Sequence, residues 1–503
     1  MKSNYIIFNT KNNHYLYSPN NNQILLLHPI LHYILQLIND GVDLNSWTKT
    51  IKNKNIIQDI GIFSKKELLY YHKKFIFLSN NKYFVKNSNT QFRYNGENIK
   101  YYLSNTRNIT FEVTERCNLS CDYCIYGKYY TIGKSHQNRD LNINFAKNTI
   151  DFLFNLWNSP LNSSYDSKIS IGFYGGEALL NFEFIYEIVN YVKGLPFFNQ
   201  NRIEFSMTTN GVLLNKYISF LVENDFFLRI SMDGGTEKNN SYRKFPNKKS
   251  AFKIIYDNVE AIKNKYPAYF EKRVNFVTVL HNRNTYSEVI NFFRSNFNKE
   301  PGVSELATDS LNSDFEKDFW KMHHSTPIIS NDELKNAVSN IKTQYDINFD
   351  SLFRFIHAYS GYVKSNYSDL ITNNKDKSYL QTGTCQPFIR MIFITSEGRI
   401  LPCERIGHEY ELGFVNDLDV SIDFNNIASS YNKHFENIYK KCKGCVHELK
   451  CTVCMFHTNI GSKEFNCTKF IKYSDNEKFF SSHIYELEKE PNLYLLTTKT
   501  KLV

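Results

Sequence analysis

The sequence predicts an α/β fold: a partial (β/α)6, TIM-like barrel with a small α+β module before it and a loop-rich, cysteine-rich region after it. Strand-like runs alternate with helical runs from about residue 107, which is typical of parallel βα units in a barrel-like or a doubly wound sheet. The preceding residues instead show three strand-like runs followed by helices. Seven of the ten cysteines lie after residue 380, so we expect a third, separate region there.

Composition indicates a globular protein. The 503 residues are 42% hydrophobic and 16% aromatic, enough for packed cores. The net charge of +10 is scattered, without a basic block of the kind that binds nucleic acid. The N-terminus lacks the pattern of a signal peptide, and no run is long enough to span a membrane. We therefore expect a cytoplasmic protein without nucleic-acid or membrane partners, whose cysteines serve metal binding or catalysis.

Residues 1–90 are predicted to form a winged-helix-like module. YIIFNT, HYLYS and QILLLH are short strand-like runs separated by Asn-rich turns. HPILHYILQLIND has helical spacing with Pro29 in its first turn, and Ser64 with Glu67 forms a capping-box pattern before a second helix. The polar residues 91–106 are predicted to be a linker.

Residues 107–330 are predicted to form the barrel. Five strands, from ITFEVTE to RVNFVTVLH, each end in a polar or Gly-rich turn. The unusual residues follow the carboxyl ends of these strands, which is where such barrels place their chemistry. We expect a helical connector over 331–380, the cysteine-rich domain over 381–475 and a tail without a motif over 476–503.

Three cysteines are crowded into one loop, TERCNLSCDYCIYG at 114–127, directly after the first barrel strand. Thiolates suit iron–sulfur clusters, zinc or copper. Four would complete a tetrahedral site, but the next cysteine along the chain is Cys385. Three thiolates on a four-iron cubane leave one iron open. We therefore expect Cys117, Cys121 and Cys124 to hold a cluster that can bind a further ligand.

Four segments, in order, resemble motifs of the radical S-adenosylmethionine (SAM) superfamily. The first is the Cys-x3-Cys-x2-Cys loop, with Tyr123 before its last cysteine. YGGEALL follows the second strand and resembles the Gly-Gly-Glu motif, and TTNG at 208–211 follows the third. SMDGG follows the fourth and resembles the Ser-x-Asp-Gly segment that lines the SAM site. A Gly-Gly-Glu alone could be a plain turn, but the ordered series favours the family.

The resemblance implies a [4Fe-4S] cluster and SAM as cofactors. SAM would chelate the open iron, with Tyr123 near its adenine. Gly175, Gly176 and Glu177 would receive the methionine ammonium, and Ser231 and Arg243 would help to hold the carboxylate or the ribose. Electron transfer would cleave SAM to a 5′-deoxyadenosyl radical, which removes a hydrogen atom from an unactivated C–H bond. A reduced flavodoxin- or ferredoxin-type donor would supply the electron.

The seven C-terminal cysteines resemble the SPASM domain, which carries two auxiliary [4Fe-4S] clusters. The resemblance implies an inner cluster on Cys385, Cys403 and Cys454, and an outer cluster on Cys442, Cys445, Cys451 and Cys467. The last Cys pair is separated by two residues, where three are usual, and no cysteine remains as a fourth inner ligand. The inner cluster would have an open iron or a different ligand, with Glu404, His408 and His457 near in sequence. A structural zinc knuckle is the alternative.

Glu404 follows Cys403 directly and is a candidate catalytic base. Related SPASM enzymes can use an acidic residue at this position to take a proton from the oxidised substrate. A carboxylate within hydrogen-bond reach of that proton would be needed. An ordinary surface glutamate is the alternative.

The N-terminal module resembles the peptide-recognition element of enzymes that mature ribosomally made peptides. Such elements bind a leader peptide as an added strand. We therefore predict a radical SAM/SPASM peptide maturase that acts on a precursor peptide with a leader and forms a crosslink or another oxidative modification. A sulfatase-maturase-like enzyme that forms formylglycine is one alternative. A non-catalytic iron–sulfur or zinc protein that binds a peptide is the other.

Overall fold

The computed structural model describes residues 5–494 apart from 20, 22, 58–59, 85–92, 132–136, 165–166, 197–201, 309, 324–351, 353–354, 357–358, 360–381, 443–444, 446, 448–450, 452, 458–466, 468–469, 471 and 473–475. The strands and helices of the described part confirm the predicted class, because a large, mostly parallel sheet follows a small α+β module.

The N-terminal module contains a three-stranded antiparallel meander, three helices and a hairpin. Its elements are β1 (Ile6–Asn9), β2 (His14–Ser18), β3 (Gln23–Leu27), α1 (Pro29–Asn39), α2 (Leu44–Thr50), β4 (Lys54–Ile57), β5 (Gly61–Ser64) and α3 (Lys65–Asn80). The predicted capping box is present at the start of α3, where the Ser64 and Glu67 side chains cap each other's backbone N–H groups. The β4–β5 hairpin was not predicted.

As far as the structure describes it, the barrel consists of six parallel strands in sequential order, each followed by one or two helices. Its elements are β6 (Asn108–Thr114), α5 (Ile143–Trp157), β7 (Ile169–Gly175), α6 (Phe182–Gly194), β8 (Ile203–Thr209), α7 (Leu214–Glu223), β9 (Phe227–Ser231), α8 (Phe252–Lys265), α9 (Pro267–Arg273), β10 (Val274–Leu280), α10 (Tyr286–Phe297), β11 (Gly302–Glu305) and α11 (Glu316–Met322). The partial (β/α)6 barrel is therefore confirmed.

The C-terminal region continues the barrel sheet. The strand β12 (Ile392–Ile394) pairs parallel with β6, and β13 (Arg399–Leu401), β14 (Gly413–Val415) and β15 (Val420–Ser421) extend the sheet as an antiparallel meander. A long helix, α12 (Phe424–Cys442), and a terminal helix, α13 (Asn476–Lys489), follow. The shared sheet brings the C-terminal segment next to the loop that follows β6.

The two faces of the barrel strands differ in burial. In β8 and β10, buried residues that belong to the main core alternate with half-buried residues. A parallel strand in a barrel presents one set of side chains to the surrounding helices and the other to the interior. The side chains that face the barrel interior are therefore less tightly packed than those that face the surrounding helices.

The segment predicted as a linker is folded over most of its length. Residues Gly96–Ser104 form a helix, α4, that begins with a capping box between Asn95 and Asn98. Ile99 and Leu103 are fully buried in the main core. Their spacing of four residues places both on one face of the helix. The burial of these two side chains holds the helix in the core although the residues around them are polar. The prediction of a linker is wrong for this stretch.

The C-terminal tail packs on the N-terminal module. Phe480 of α13 is fully buried, and its ring lies 5.2 Å from that of Phe8 and 4.8 Å from that of Tyr17. Glu488 accepts hydrogen bonds from the Tyr15 and Thr10 hydroxyls at 2.7 and 2.9 Å. Most of the predicted connector at 331–380 lies outside the described residues. No described helix has the length and apolar character needed to cross a membrane.

The role of α4 in the core can be tested with Leu103→Ala. This change should lower the free energy of unfolding by about 2–5 kcal/mol, because it leaves a cavity in the main core. Leu418→Ala is the matched control, since the Leu418 side chain is 90% exposed and should cost less than about 0.5 kcal/mol. Equal urea midpoints for the two variants would contradict the packing of α4 in the main core.

Candidate active site

The first three cysteines lie on the loop that follows β6, residues 115–127, which we call the Cys loop. Two backbone hydrogen bonds join it to the segment after β9. The Ser120 N–H donates to the Lys244 carbonyl at 2.7 Å, and the Asp122 N–H donates to the Tyr242 carbonyl at 3.0 Å. The position of the Cys loop therefore depends on the chain that follows the fourth barrel strand.

The three thiols occupy a largely buried environment. Cys117 and Cys121 pack against the main core, and the Cys117 sulfur lies 3.4 Å from the Leu119 N–H nitrogen and 3.8 Å from Asn210 Nδ2. Burial raises the pKa of each thiol to about 11, so metal binding would have to displace their protons. Within the described residues, no three His, Cys, Asp or Glu side chains could share a single metal ion. A four-iron cluster has no such requirement, because each thiolate binds a different iron.

The Gly175–Gly176 pair packs directly against the start of the Cys loop. The Gly176 N–H donates to the Thr114 carbonyl at 2.9 Å. A Cβ on Gly175 would lie 2.2 Å from the Thr114 oxygen, and one on Gly176 would lie 2.3 Å from the Arg116 oxygen. Gly175 also has a φ of +129°, which other residues rarely adopt. Only glycine permits this close approach at both positions.

Glu177 joins two loops at the carboxyl ends of the strands. Its carboxylate accepts hydrogen bonds from the Thr209 hydroxyl and the Asn210 N–H, both at 2.7 Å, and from the Leu179 N–H at 3.2 Å. Burial raises the pKa of Glu177, and these hydrogen bonds oppose the rise. Glu177, the predicted acceptor of the ammonium group, is thus hydrogen-bonded to the end of β8 and the loop after it. The two neighbouring glycines line the cavity described below.

A buried carboxylate, Asp233, connects Tyr123 with Arg243. The Tyr123 hydroxyl donates to it, and Arg243 Nε donates to Asp233 Oδ2 at 3.0 Å. Arg243 Cζ also lies 5.5 Å from the centre of the Tyr123 ring. Burial lowers the pKa of Arg243. Asp233, Tyr123 and Cys121 together raise that pKa by more, so the pKa is raised overall. Asp233 was not singled out from the sequence, although it stands in the SMDGG segment directly after β9.

A cavity of about 240 Å³, which we call the upper cavity, lies between these groups. The structure brings most of the predicted site residues to its wall. These are Cys117, Cys121, Tyr123, Cys124, Gly175, Gly176, Ser231, Arg243 and Glu404. Glu177 is not among the residues that line it. Residues from five separate chain segments therefore meet around one space.

Glu404 reaches the upper cavity from the C-terminal region. It follows β13, the strand that the shared sheet carries toward the Cys loop. The Cys403 thiol donates to Glu404 Oε2 at 3.3 Å, and Arg405 Nε lies 3.6 Å from Oε1. Burial and the neighbouring Glu404 charge raise the pKa of the Cys403 thiol to about 12. The candidate base and a candidate cluster ligand are thus adjacent.

The predicted inner cysteines are drawn together around α12. The segments of Cys385 and Cys454 are joined by hydrogen bonds from the Gly383 N–H to the Val453 carbonyl at 3.2 Å and from the Met455 N–H to Thr384 Oγ1 at 2.7 Å. The pKa of Tyr431 on α12 is raised, first by burial and then by Tyr94. Smaller contributions to the same rise come from Cys454, Cys385 and Cys403. No sequence pattern singles out Tyr431.

Two of the predicted outer cysteines, Cys442 and Cys445, lie where α12 ends. The Cys445 N–H donates to the Cys442 carbonyl at 2.9 Å, and Cys445 forms an isolated bridge with Lys472, five residues after Cys467. Among the candidate non-cysteine ligands, His408 Nδ1 lies 3.5 Å from Glu397 Oε2. The side chain of His457 lies outside the described residues.

The close packing at the glycine pair can be tested with Gly176→Ala. The added methyl group must displace the start of the Cys loop, and we expect iron bound by the loop to become at least about tenfold weaker, the effect of losing a supporting contact at a metal site. Gly194→Ala is the matched control, because nothing lies within 4 Å of its Cβ position. Equal iron affinity in the two variants would contradict the role of the glycine pair.

The buried carboxylate can be tested with Asp233→Asn. This change leaves the Arg243 charge buried without a carboxylate and should lower the free energy of unfolding by about 3–5 kcal/mol. Asp225→Asn removes an exposed partner of Arg273 and should cost less than about 1 kcal/mol. Denaturation of both variants at neutral pH checks the difference, and a small effect at Asp233 would argue against its structural role.

Comparisons with known proteins relate this chain to one superfamily model and to several relatives. Residues 111–295 match the model of the Radical SAM superfamily. A cysteine-type anaerobic sulfatase-maturating enzyme of Clostridium novyi is 27% identical over 343 residues, which cover 66% of this chain and 83% of that protein. A radical SAM cyclopropyl synthase of Paramaledivibacter caminithermalis is 25% identical over 347 residues, which cover 67% of this chain and 65% of that protein. The solved structure of native anSMEcpe with bound AdoMet aligns with a TM-score of 0.47 and 19% identity, covering 78% of this chain and 99% of that one.

The matched range includes the Cys loop, the glycine pair and Asp233. The cofactors of this superfamily are a [4Fe-4S] cluster and SAM, and the residues present fit them. Three thiols stand on one loop beside a cavity whose wall includes two glycines where a Cβ would clash. Residues 111–295 therefore form a radical SAM domain, and this chain is an enzyme.

Proposed function

We propose that this enzyme is a peptide maturase with a C-terminal SPASM domain. It binds the leader of a ribosomally made precursor peptide at residues 1–90 and removes a hydrogen atom from a residue of the core peptide. A crosslink or another oxidative modification follows. The observation that carries this proposal is the meeting of Glu404 and the Cys loop at the upper cavity, which combines a proton acceptor with the site of radical formation.

Cys117, Cys121 and Cys124 would hold the cluster that binds SAM. When bound, the cluster and SAM supply the hydrogen-abstracting radical. The glycine pair would let SAM approach the backbone, and Ser231 would add a hydroxyl to the same wall. Arg243 and Tyr123 would act as one unit through Asp233, because their shared buried carboxylate fixes both side chains. The cofactor carries the difficult chemistry, and the chain orients it and excludes water.

Glu404 would take the proton that leaves the substrate after hydrogen abstraction. Its side chain is 19% exposed, so a substrate in the upper cavity could reach it. The free Cys403 thiol donates a hydrogen bond to this carboxylate, but a Cys403 thiolate that binds a cluster has no proton to donate. The lone pairs of Glu404 would then be available to the substrate. General base catalysis requires this reach.

Cys385, Cys403 and Cys454 would hold an inner auxiliary cluster, and Cys442, Cys445, Cys451 and Cys467 an outer one. The hydrogen bonds between the segments of Cys385 and Cys454 support the inner set. The bridge between Cys445 and Lys472 supports the outer set, because it brings the chain near Cys467 close to Cys445. The outer set provides four thiolates, the number that a [4Fe-4S] cluster takes when fully ligated by cysteine.

The leader peptide would bind at the edge of β3. Within the described residues, β3 pairs only with β2, whereas the β1 side is covered by α13. Leu26 on β3 is 62% exposed, so an added strand would gain both main-chain hydrogen bonds and an apolar contact. In the described part of the chain, the β3 edge is therefore the one that we propose for strand addition.

The relatives favour a second candidate, an anaerobic sulfatase maturase. The similarity to the Clostridium novyi enzyme spans two thirds of this chain, and such an enzyme would convert a Cys or Ser of its substrate to formylglycine. The similarity to a radical SAM cyclopropyl synthase supports the broader class of modifying enzymes. The free β3 edge favours a leader-dependent maturase over the sulfatase maturase.

The experiment that separates these functions uses peptides encoded beside the gene and a sulfatase peptide with its target Cys. Each is incubated with reduced, reconstituted enzyme and SAM, and both 5′-deoxyadenosine and peptide mass are measured. A precursor that loses two hydrogen atoms supports the proposal, and Leu26→Asp should weaken that reaction by impairing leader binding. Formylglycine in the sulfatase peptide, with no change in any precursor, would instead establish the second candidate.

If Glu404 is the base, its loss should slow peptide modification without preventing SAM cleavage. Glu404→Gln should still form 5′-deoxyadenosine but should form modified peptide about 10²–10⁴-fold more slowly, because the amide cannot accept the proton. Glu436→Gln is the control, since Glu436 is exposed and pairs with Arg93 on the surface. Unchanged product formation in Glu404→Gln would exclude it as the base.

A further inference from the structure

The barrel interior below the upper cavity forms a second space of about 470 Å³, which we call the lower cavity. The two cavities share Tyr174, Thr208 and Glu404 in their walls. A closed (β/α) barrel usually fills its interior with bulky branched side chains. Here small residues such as Gly172 and Ser206 face the space, so a substrate in the upper cavity could extend downward.

The lower cavity has an excess of positive charge. Its wall contains four cationic residues and two carboxylates: Arg229, Lys272, Arg273 and Arg390, with Glu204 and Glu404. Arg273 donates to Asp225 at 2.8 Å and lies 3.9 Å from Glu204. Arg390 interacts with Glu404, Cys403 and Cys385. The described residues show no anionic or thiol partner for Lys272, whereas Arg273 and Arg390 already have such partners.

Arg229 differs from Arg273 and Arg390. It is exposed, and its guanidinium carbon lies 5.6 Å from the centre of the Phe227 ring. In the described part of the chain it has no carboxylate within ion-pair distance and no side-chain hydrogen bond. Arginine binds carboxylates through two parallel N–H···O bonds, and a guanidinium at a concave wall without such a partner is available to a ligand.

The strand register places Arg229 close to the chemistry. It lies beside Thr208, which lines both cavities, and two residues before Ser231, which lines the upper cavity. Two residues along a strand span roughly 7 Å, about the length of one peptide residue with its side chain. A group held by Arg229 would thus belong to the substrate residue at the reacting position or to its neighbour.

We propose that Arg229 is a specificity residue that binds a carboxylate of the substrate peptide in the lower cavity. The ligand class is an Asp or Glu side chain, or a C-terminal carboxylate, at or next to the residue that is modified. This inference rests on the proposed peptide-modifying function and adds a sequence requirement to it. Hydrogen abstraction remains the task of the upper cavity, and Arg229 positions the peptide beneath it.

The test measures peptide binding without turnover. Reconstituted enzyme with SAM but without reductant is titrated calorimetrically with N-acetyl-Gly-Asp-Gly amide and N-acetyl-Gly-Asn-Gly amide. The Asp peptide should bind at least about tenfold more tightly, because a charge-assisted hydrogen bond is about twice as strong as a neutral one. N-acetyl-triglycine with a free carboxylate distinguishes a C-terminal from a side-chain source.

Variants make the test specific to Arg229. Arg229→Gln should remove the preference for Asp, and Arg229→Glu should reverse it in favour of N-acetyl-Gly-Lys-Gly amide. Arg294→Gln removes an equal charge from the surface, where Arg294 pairs with Glu300, and should retain the preference. Equal or undetectable binding of the Asp and Asn peptides to the wild type, or a preference that survives Arg229→Gln, would overturn the proposal.

The outcome is independent of the proposed function. Because no SAM is cleaved in the titration, a preference for Asp can be observed even if no precursor peptide is modified in the activity assay. Conversely, modification of a precursor by an enzyme that shows no preference for a carboxylate would support the function and exclude the role of Arg229.

Discussion

The buried carboxylate of Asp233 is the interaction on which the candidate site depends. It accepts hydrogen bonds from Tyr123 of the Cys loop and from Arg243, while Asp233 Oδ1 accepts from the Val279 N–H at 3.0 Å. One side chain therefore joins the loop after β6 to the chain after β9 and to β10. A buried charge without partners would be costly, so the three partners and the carboxylate stabilise one another. The hydrogen bond from Tyr123 to Asp233 therefore helps to orient the Cys loop.

The shared sheet is the second constraint on function. Because β12 pairs with β6, the C-terminal segment that carries Cys403 and Glu404 is built onto the barrel itself. Glu404 consequently reaches the same cavity as cysteines that precede it by more than 270 residues. The continuation of the sheet therefore places Glu404 and the Cys loop at the same cavity.

Local patterns predicted much of this molecule. The spacing of Cys117, Cys121 and Cys124 and the order of the strands could be read directly, because each depends on neighbours in the sequence. The capping box of α3 is equally local. In contrast, Asp233 was missed because its partner Tyr123 lies 110 residues away. The helix α4 was missed because two apolar residues, Ile99 and Leu103, decide its packing within a polar stretch. Strands of three residues, such as β12, have too short a pattern to be recognised, and their pairing is decided by tertiary contacts.

We propose that the Cys loop holds one iron–sulfur cluster and that the C-terminal cysteines hold two more. The most direct measurement is iron, acid-labile sulfide and zinc per chain in anaerobically reconstituted protein and in a variant with Cys117, Cys121 and Cys124 changed to Ala. We expect about twelve irons in the wild type and about eight in the variant, as three four-iron clusters require. About four irons with bound zinc would contradict the auxiliary clusters, and bound zinc without iron would contradict the radical chemistry as a whole.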